Sequence, residues 1–264
     1  GGQLTRGAPY PISIAWPPAP DEPIEAVRAR GHRGLGLPPG HRVAIGIDRL
    51  DYIKGLIERF AAVEHLLRTQ PQWRGRFTLV QVASPSRSNL PEYQAFHDRV
   101  VAEAQRINAA YGTEQAPAIL LKVENQGAQT VRDLYRSADV AMVTSLHDGM
   151  NLVAKEYVAA RDDDLGVLLL SVFTGASREL HEALLVNPYS AEETGNALAR
   201  ALAMPPAEQR ERMRAMRAWV RSYNIYRWAG SMLIDAARVR SRERVTARIE
   251  RLLQRQPRQL KVAG

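Results

Sequence analysis

The residues best suited to chemistry in this sequence fall into four short clusters. The first is Asp48-Arg49-Leu50-Asp51-Tyr52-Ile53-Lys54-Gly55. Arg49 and Lys54 stand just ahead of a helical pattern. Two cations beside the positive end of a helix make a binding place for a diphosphate. The same side chains could instead pair with Asp48 and Asp51 at the surface. The second cluster, Ser84-Pro85-Ser86-Arg87-Ser88-Asn89, can hold a second phosphate through its hydroxyls and Arg87, or form a polar turn that caps the next helix. The third, Glu124-Asn125-Gln126-Gly127-Ala128-Gln129-Thr130, has amides that can read the edges of a base or sugar. It serves equally as a loop with Thr130 as a helix N-cap.

The fourth cluster says most: Thr144-Ser145-Leu146-His147-Asp148-Gly149-Met150-Asn151-Leu152-Val153-Ala154-Lys155-Glu156. A strand pattern ends at Thr144, a glycine-bearing turn follows, and a helix begins near Asn151 or Leu152. Free N–H groups at that helix start can accept diphosphate oxygens. Asp148 at the mouth can hold sugar hydroxyls. Glu156, about one turn inside, can accept hydrogen bonds from ribose hydroxyls. His147 is either a proton carrier or an exposed loop residue. No second His or carboxylate stands at ligand spacing, so no metal is expected. A further strand end, Phe173-Thr174-Gly175-Ala176-Ser177, completes the rim. The other histidines (His32, His41, His65, His97 and His181) read as structural or surface residues. Neither a Ser–His–Asp arrangement nor a Walker-type phosphate loop is present.

These clusters follow short apolar runs that read as buried strands, at 41–48, 77–83, 118–123, 140–144, 166–171 and 184–186. Helical patterns alternate with them at 23–33, 55–69, 91–111, 130–137, 152–160 and 191–203. The order predicts an α/β fold: an open, doubly wound, Rossmann-like parallel sheet covered on both faces. Six strands are too few for an eight-stranded barrel. In such sheets ligands sit at the carboxyl ends of the strands, where every unusual polar cluster here falls. From Glu208 onward the chain is helical and charged. One helix is expected at 207–223 and one or two more at 225–254. Residues 1–22 read as an inter-domain linker, 23–222 as the nucleotide-sugar-binding domain, and 223–264 as terminal helices with a basic tail.

The chain has 264 residues and a net charge of +8. Nine basic residues between positions 238 and 261 face only Glu243 and Glu250, so seven of the eight positive charges belong to that tail. A nucleic-acid-binding tail is therefore weighed against a helix face packed on the rest of the protein or solvated, and the second is preferred. The absence of cysteine excludes disulfides, thiolate zinc sites and cysteine nucleophiles. It fits a cytoplasmic protein. No membrane partner is expected. The first residue is Gly1 and the opening is proline-rich, which reads as the C-terminal portion of something longer.

The segments IDRLDYIKGLIERF, SPSR, DGMNLVAKEYVAAR and FTGASRELHEALLVNPY occur in the order found in trehalose-6-phosphate synthases, and the chain resembles that family over about residues 11–228. The resemblance implies the C-terminal half of a GT-B architecture, a retaining glycosyltransferase of two Rossmann-like lobes. The N-terminal half would be the missing partner, and a second copy of the chain is a further candidate. It implies that Arg49, Lys54 and Asp148 are catalytic, with the first two neutralising the donor diphosphate and Asp148 binding donor-sugar hydroxyls. Gly149, Met150, Asn151, Leu152 and Val153 would cradle sugar and diphosphate, and Glu156 would bind ribose. Asn125 and Thr130 join the donor set, and Arg87 and Asn89 would grip the acceptor's phosphate. No cofactor or metal is implied beyond the GDP- or UDP-linked co-substrate. In the resemblance the departing diphosphate takes the acceptor's proton as it attacks the same face, through an oxocarbenium-like transition state.

Two departures stand out. His147 occupies the place of an arginine, and residues 123–128 lack the usual His and Arg. These point toward an offshoot of the family, the pseudo-glycosyltransferases that couple GDP-valienol to validamine 7-phosphate to give validoxylamine A 7′-phosphate. Transfer of glucose from UDP- or GDP-glucose to glucose 6-phosphate is the alternative. A catalytically inactive homologue or anion-binding module is a third. The 264 residues alone are expected to be inactive.

Overall fold

The computed structural model describes residues 8–86 and 90–254. Arg87 and Asn89, and the end of the basic tail, lie outside the described residues. Six parallel strands form one sheet: β1 (Arg42–Arg49), β2 (Phe77–Ser84), β3 (Ile119–Lys122), β4 (Val140–Val143), β5 (Val167–Ser171) and β6 (Leu184–Val186). Their order is β3-β2-β1-β4-β5-β6, so the chain winds outward from β1 in one direction and from β4 in the other. This is the doubly wound arrangement expected from the alternation of apolar runs and amphipathic segments.

The strands are apolar on both sides because helices cover both faces. One face packs on α2 (Leu56–Thr69), α3 (Pro91–Tyr111) and α6 (Ala191–Ala203), through Phe60, Val63, Val100 and Leu198. The other packs on α4 (Ala128–Ser137), α5 (Leu152–Ala160) and α7 (Pro206–Ser222), through Tyr135, Tyr157, Met213 and Met216. The helix α1 (Ile24–Gly34) lies against α4. The last helix, α8 (Ile225–Gln254), is one continuous element of 30 residues. No described helix is long and apolar enough to cross a membrane.

Three local features differ from the sequence-based expectation. A short 3₁₀ turn, Tyr52–Lys54, precedes α2, capped by the Asp51 carboxylate accepting from the Ile53 N–H at 3.3 Å. The strand β4 stops at Val143, one residue early. Finally, α4 starts at Ala128, because the Gly127 carbonyl already accepts the Val131 N–H at 3.0 Å. Thr130 therefore lies inside the first turn and does not cap the helix.

The amino ends of the strands carry a buried polar cluster that ties α1 and α4 to the sheet. Asp139 accepts from Arg28 at 2.5 Å, Arg42 at 2.7 Å and the Val43 N–H at 2.9 Å. Burial alone would raise its pKa, but the Arg28 charge and these hydrogen bonds hold the carboxyl below its ordinary value. The Thr78 hydroxyl donates to the Pro117 carbonyl at 2.6 Å, so His41 Nε2 must be the donor in its 2.8 Å bond to Thr78 Oγ1. His32 Nε2 donates to the Ser137 carbonyl at 3.3 Å. Burial lowers the pKa of both histidines. The unfolded chain therefore binds more protons than the folded one below the ordinary His range, about pH 6.5. Stability should be full above that pH and fall as acidification proceeds, with a second loss as Asp139 protonates below the ordinary carboxylate range. Urea midpoints measured from about pH 8 to about pH 2 check this. Replacing His32 and His41 by Gln should flatten the upper part of the profile, and an unchanged slope would refute the assignment.

Candidate active site

The strands β1 and β4 are neighbours, and the connections after them leave toward opposite edges of the sheet. A crevice opens at their carboxyl ends, the usual ligand position in a doubly wound sheet. Two loops line it, residues 49–55 after β1 and residues 144–151 after β4. The Leu146 N–H donates to the Ile53 carbonyl at 2.8 Å and joins them. Gly55 has φ +67°, and a Cβ there would run into the Thr144 carbonyl oxygen. Only glycine allows both that backbone and that approach.

Lys54 and Asp148, 94 positions apart, meet across the crevice at 2.6 Å between Nζ and Oδ2. Asp148 Oδ2 also accepts from Asn151 Nδ2 at 3.2 Å, and Oδ1 from the Met150 N–H at 3.4 Å. Asn151 is the N-cap of α5, in a left-handed conformation with φ 73°, and its side-chain oxygen accepts the Ala154 N–H at 3.4 Å. Asn tolerates that conformation better than most residues. The cap places Gly149, Met150, Leu152 and Val153 around the start of α5, whose first N–H groups have no helical partners. Arg49 stands exposed at the end of β1. The site thus combines Lys54, a helix start and one carboxylate, with Arg49 at the adjacent strand end, a set that can bind a diphosphate together with a neighbouring hydroxyl-bearing ring.

A cradle beneath the Asp148 loop comes from the segment after β5. Asp148 and Thr174 form a parallel bridge. The Gly175 N–H donates to the Asp148 carbonyl at 3.1 Å and the Ala176 N–H to the Met150 carbonyl at 2.8 Å. A Cβ on Gly175 would strike the Gly149 carbonyl oxygen, so the two loops nest only through a glycine. The sequence placed this segment on the rim; the structure makes it the floor of the Asp148 loop.

Arg59, which the sequence reasoning missed, is a buried supporting residue beneath the site loops. It lies in α2 with its side chain fully buried. Nη1 donates to Asp48 Oδ2 and Gln81 Oε1, both at 2.6 Å, and Nε donates to Thr144 Oγ1 at 2.9 Å. It thereby fastens the ends of β1, β2 and β4 under the two site loops. Burial pushes the Asp48 carboxyl above the ordinary carboxylate range, with Arg59 opposing that shift. A signal was present. Position 59 lies three residues after Leu56 and four before Val63, on the buried stripe of the helix.

Glu156 is exposed on α5 and accepts from the Tyr135 hydroxyl at 3.2 Å. Burial, reinforced by the Glu156 charge, holds that hydroxyl well above its ordinary pKa, so it remains a donor. Both residues line a cleft of about 560 Å³ between α4, α5 and residues 14–18. Asn125 is exposed in the loop before α4. Thr130 lines a different groove, with Lys122 and Leu134 against α1. The structure therefore brings Lys54, Asp148, Gly149, Met150 and Asn151 together and leaves Thr130 apart. His147 is exposed. Among the described residues no cluster of three or more His, Asp or Glu side chains is arranged to hold a metal ion.

The model of Glycosyltransferase family 20 matches residues 37–238. A trehalose-6-phosphate synthase of Sinorhizobium fredii is 47% identical over 192 residues, covering 72% of this chain and 41% of that protein. One from Cronobacter sakazakii is 43% identical over 252 residues, covering 91% of this chain and 51% of that protein. Among solved structures, an α,α-trehalose-phosphate synthase (UDP-forming) from Burkholderia xenovorans, in complex with glucose-6-phosphate, superposes with a TM-score of 0.77 at 39% identity. The match covers 86% of this chain and 51% of that one. The chain thus spans about half, or less, of the length of these relatives.

Proposed function

The chain belongs to glycosyltransferase family 20, and from that premise we propose that it is the donor-binding half of a retaining transferase that moves glucose from a nucleoside diphosphate to a sugar phosphate. The observation that carries this reading is the Lys54–Asp148 pair at 2.6 Å, set before the capped start of α5. A diphosphate entering there draws Lys54 toward its oxygens, with Arg49 as second cation and the N–H groups of residues 149–153 behind it. Asp148, freed from Lys54 but still held by Asn151, turns to the hydroxyls of the sugar ring. Glu156 takes the ribose hydroxyls. As the bond to the anomeric carbon breaks, its electrons pass to the diphosphate, whose oxygen accepts the proton of the attacking acceptor hydroxyl. The side chains of this chain then act by neutralising the leaving group and aligning the ring. Arg87 and Asn89 are assigned to the acceptor phosphate. The remaining acceptor contacts are assigned to the half of the relatives that this chain does not span. A chain without cysteine is in keeping with our assignment of the protein to the cytoplasm.

A second reading is favoured by His147 and by residues 123–128, where the sequence departs from the family pattern. In that reading the donor is GDP-linked and its ring is a cyclitol, as in the pseudo-glycosyltransferases. The relatives named above, all trehalose-phosphate synthases, support the first reading better. Titration calorimetry of the full natural chain with UDP and GDP separates them. Tighter binding of UDP is the expected result. A preference for GDP together with no turnover of GDP-glucose would move the assignment to the second reading, turnover of GDP-glucose would keep the first with a GDP-linked donor, and no binding of either nucleotide would remove the donor assignment.

A further inference from the structure

Lys155 neighbours Glu156 in sequence but engages a different part of the molecule. Its side chain is 1% exposed, and Nζ donates to Glu179 Oε2 at 2.9 Å and to the Ile12 carbonyl at 2.9 Å. Glu179 Oε2 also accepts from Trp219 Nε1 of α7 at 3.2 Å. Ile12 belongs to a strap, residues 8–20, that has no regular secondary structure. The strap is clamped along its length. Trp228 Nε1 donates to the Tyr10 carbonyl and the Ile225 N–H to the Ile14 carbonyl, each at 3.0 Å. Arg217 and Arg221 lie over the Trp16 ring at 5.2 and 5.8 Å from its centroid. Beyond these clamps, residues 14–18 become one wall of the 560 Å³ cleft that also contains Glu156.

A buried ion pair is poor support for stability, because desolvation offsets the attraction and an apolar pair packs as well or better. Lys155 does something a leucine cannot: it grips one particular carbonyl of the strap and fixes its distance from α5. Two buried oxygens without partners lie on the very groups it holds. One is Ser13 Oγ, next to Ile12, and the other is Glu179 Oε1. Leaving a donor and an acceptor unpaired in the interior is costly. A shift of the strap that brought the hydroxyl to the carboxylate would satisfy both.

We propose that Lys155 is a positioning residue for the nucleoside part of the donor. Through Glu179 and the Ile12 carbonyl it sets the width of the cleft beside Glu156, and the strap reseats against α5 when a nucleoside occupies that cleft. This inference rests on the donor-site reading above.

The test uses the full natural chain. Lys155→Met alone would leave the Glu179 carboxylate without its counter-charge, so the paired variant Lys155→Met with Glu179→Gln is used; it removes both charges and keeps an acceptor for Trp219. The expected result is a donor KM raised by about tenfold or more, with kcat and the acceptor KM within about twofold. In the wild-type protein, UDP or GDP should slow hydrogen exchange of residues 10–18 as well as of residues 148–156. In the variant the first protection should be lost and the second retained. A folded variant with unchanged donor KM and unchanged protection of residues 10–18 would overturn the inference. So would a wild-type protein in which nucleotide protects residues 148–156 alone, which leaves the donor reading standing. Protection of neither segment by either nucleotide would overturn both.

Discussion

Replacing Lys54 by Met should lower kcat/KM for the donor by about 10²–10³, the usual cost of removing one preorganised donor from a developing negative charge. Lys54 reaches Asp148, three positions before the N-cap Asn151, and Asp148 has other support from Asn151 and the Met150 N–H. The fold should therefore tolerate the change, with melting temperature altered by only a few degrees. Negative charge on the diphosphate grows as the anomeric bond breaks, so Lys54 gains strength in the transition state. The loss should consequently fall more on kcat than on donor affinity. Steady-state kinetics on the full natural chain, with nucleotide affinity measured separately, check both parts. A loss confined to KM, or a change smaller than about threefold, would remove Lys54 from the leaving-group site.

Arg59→Leu should destabilise the protein by about 3–5 kcal/mol, because it leaves a buried carboxylate without its counter-charge. Arg59 is fully buried and Asp48 nearly so, and no solvent reaches the pair to replace the lost interaction. The same change releases Gln81 Oε1 and Thr144 Oγ1, so the ends of β2 and β4 lose their common partner. Urea unfolding measures the effect. Combining Arg59→Leu with Asp48→Leu should restore much of the loss, since the uncompensated charge is then gone. A single-variant cost below about 1 kcal/mol, or a double variant no better than the single, would show that the buried pair does not hold the site loops.

Most of the elements could be read from local pattern. Phe77–Ser84 is buried along nearly its whole length, and its mostly apolar run, broken by Thr78 and Gln81, shows as much. The spacing of Leu56, Phe60, Val63, Leu66 and Leu67 marks one helix face, and all five are buried. Errors gathered where backbone and not side chains decided. The start of α4 is set by the Gly127 carbonyl, and a hydroxyl at Thr130 is a misleading cue. Arg59 was overlooked because charge normally marks the solvent side of a helix, and the partners that make its burial tolerable come from three different strands and loops.

The sequence by itself determined the order of strands and helices, the positions of the polar clusters at strand ends and the motif that marks the family. These depend on residue type and short-range spacing, which a linear reading contains. Only the tertiary structure decided that Lys54 and Asp148 form one site, that Gly175 supports the Asp148 loop, and that Lys155 holds the strap. Each of these follows from β1 lying beside β4, and β4 beside β5, in the sheet. Strand order is set by how the helices pack on both faces and by the crossover connections, not by any local run of residues. Contacts spanning 94 or 143 positions therefore appear only once the sheet is assembled.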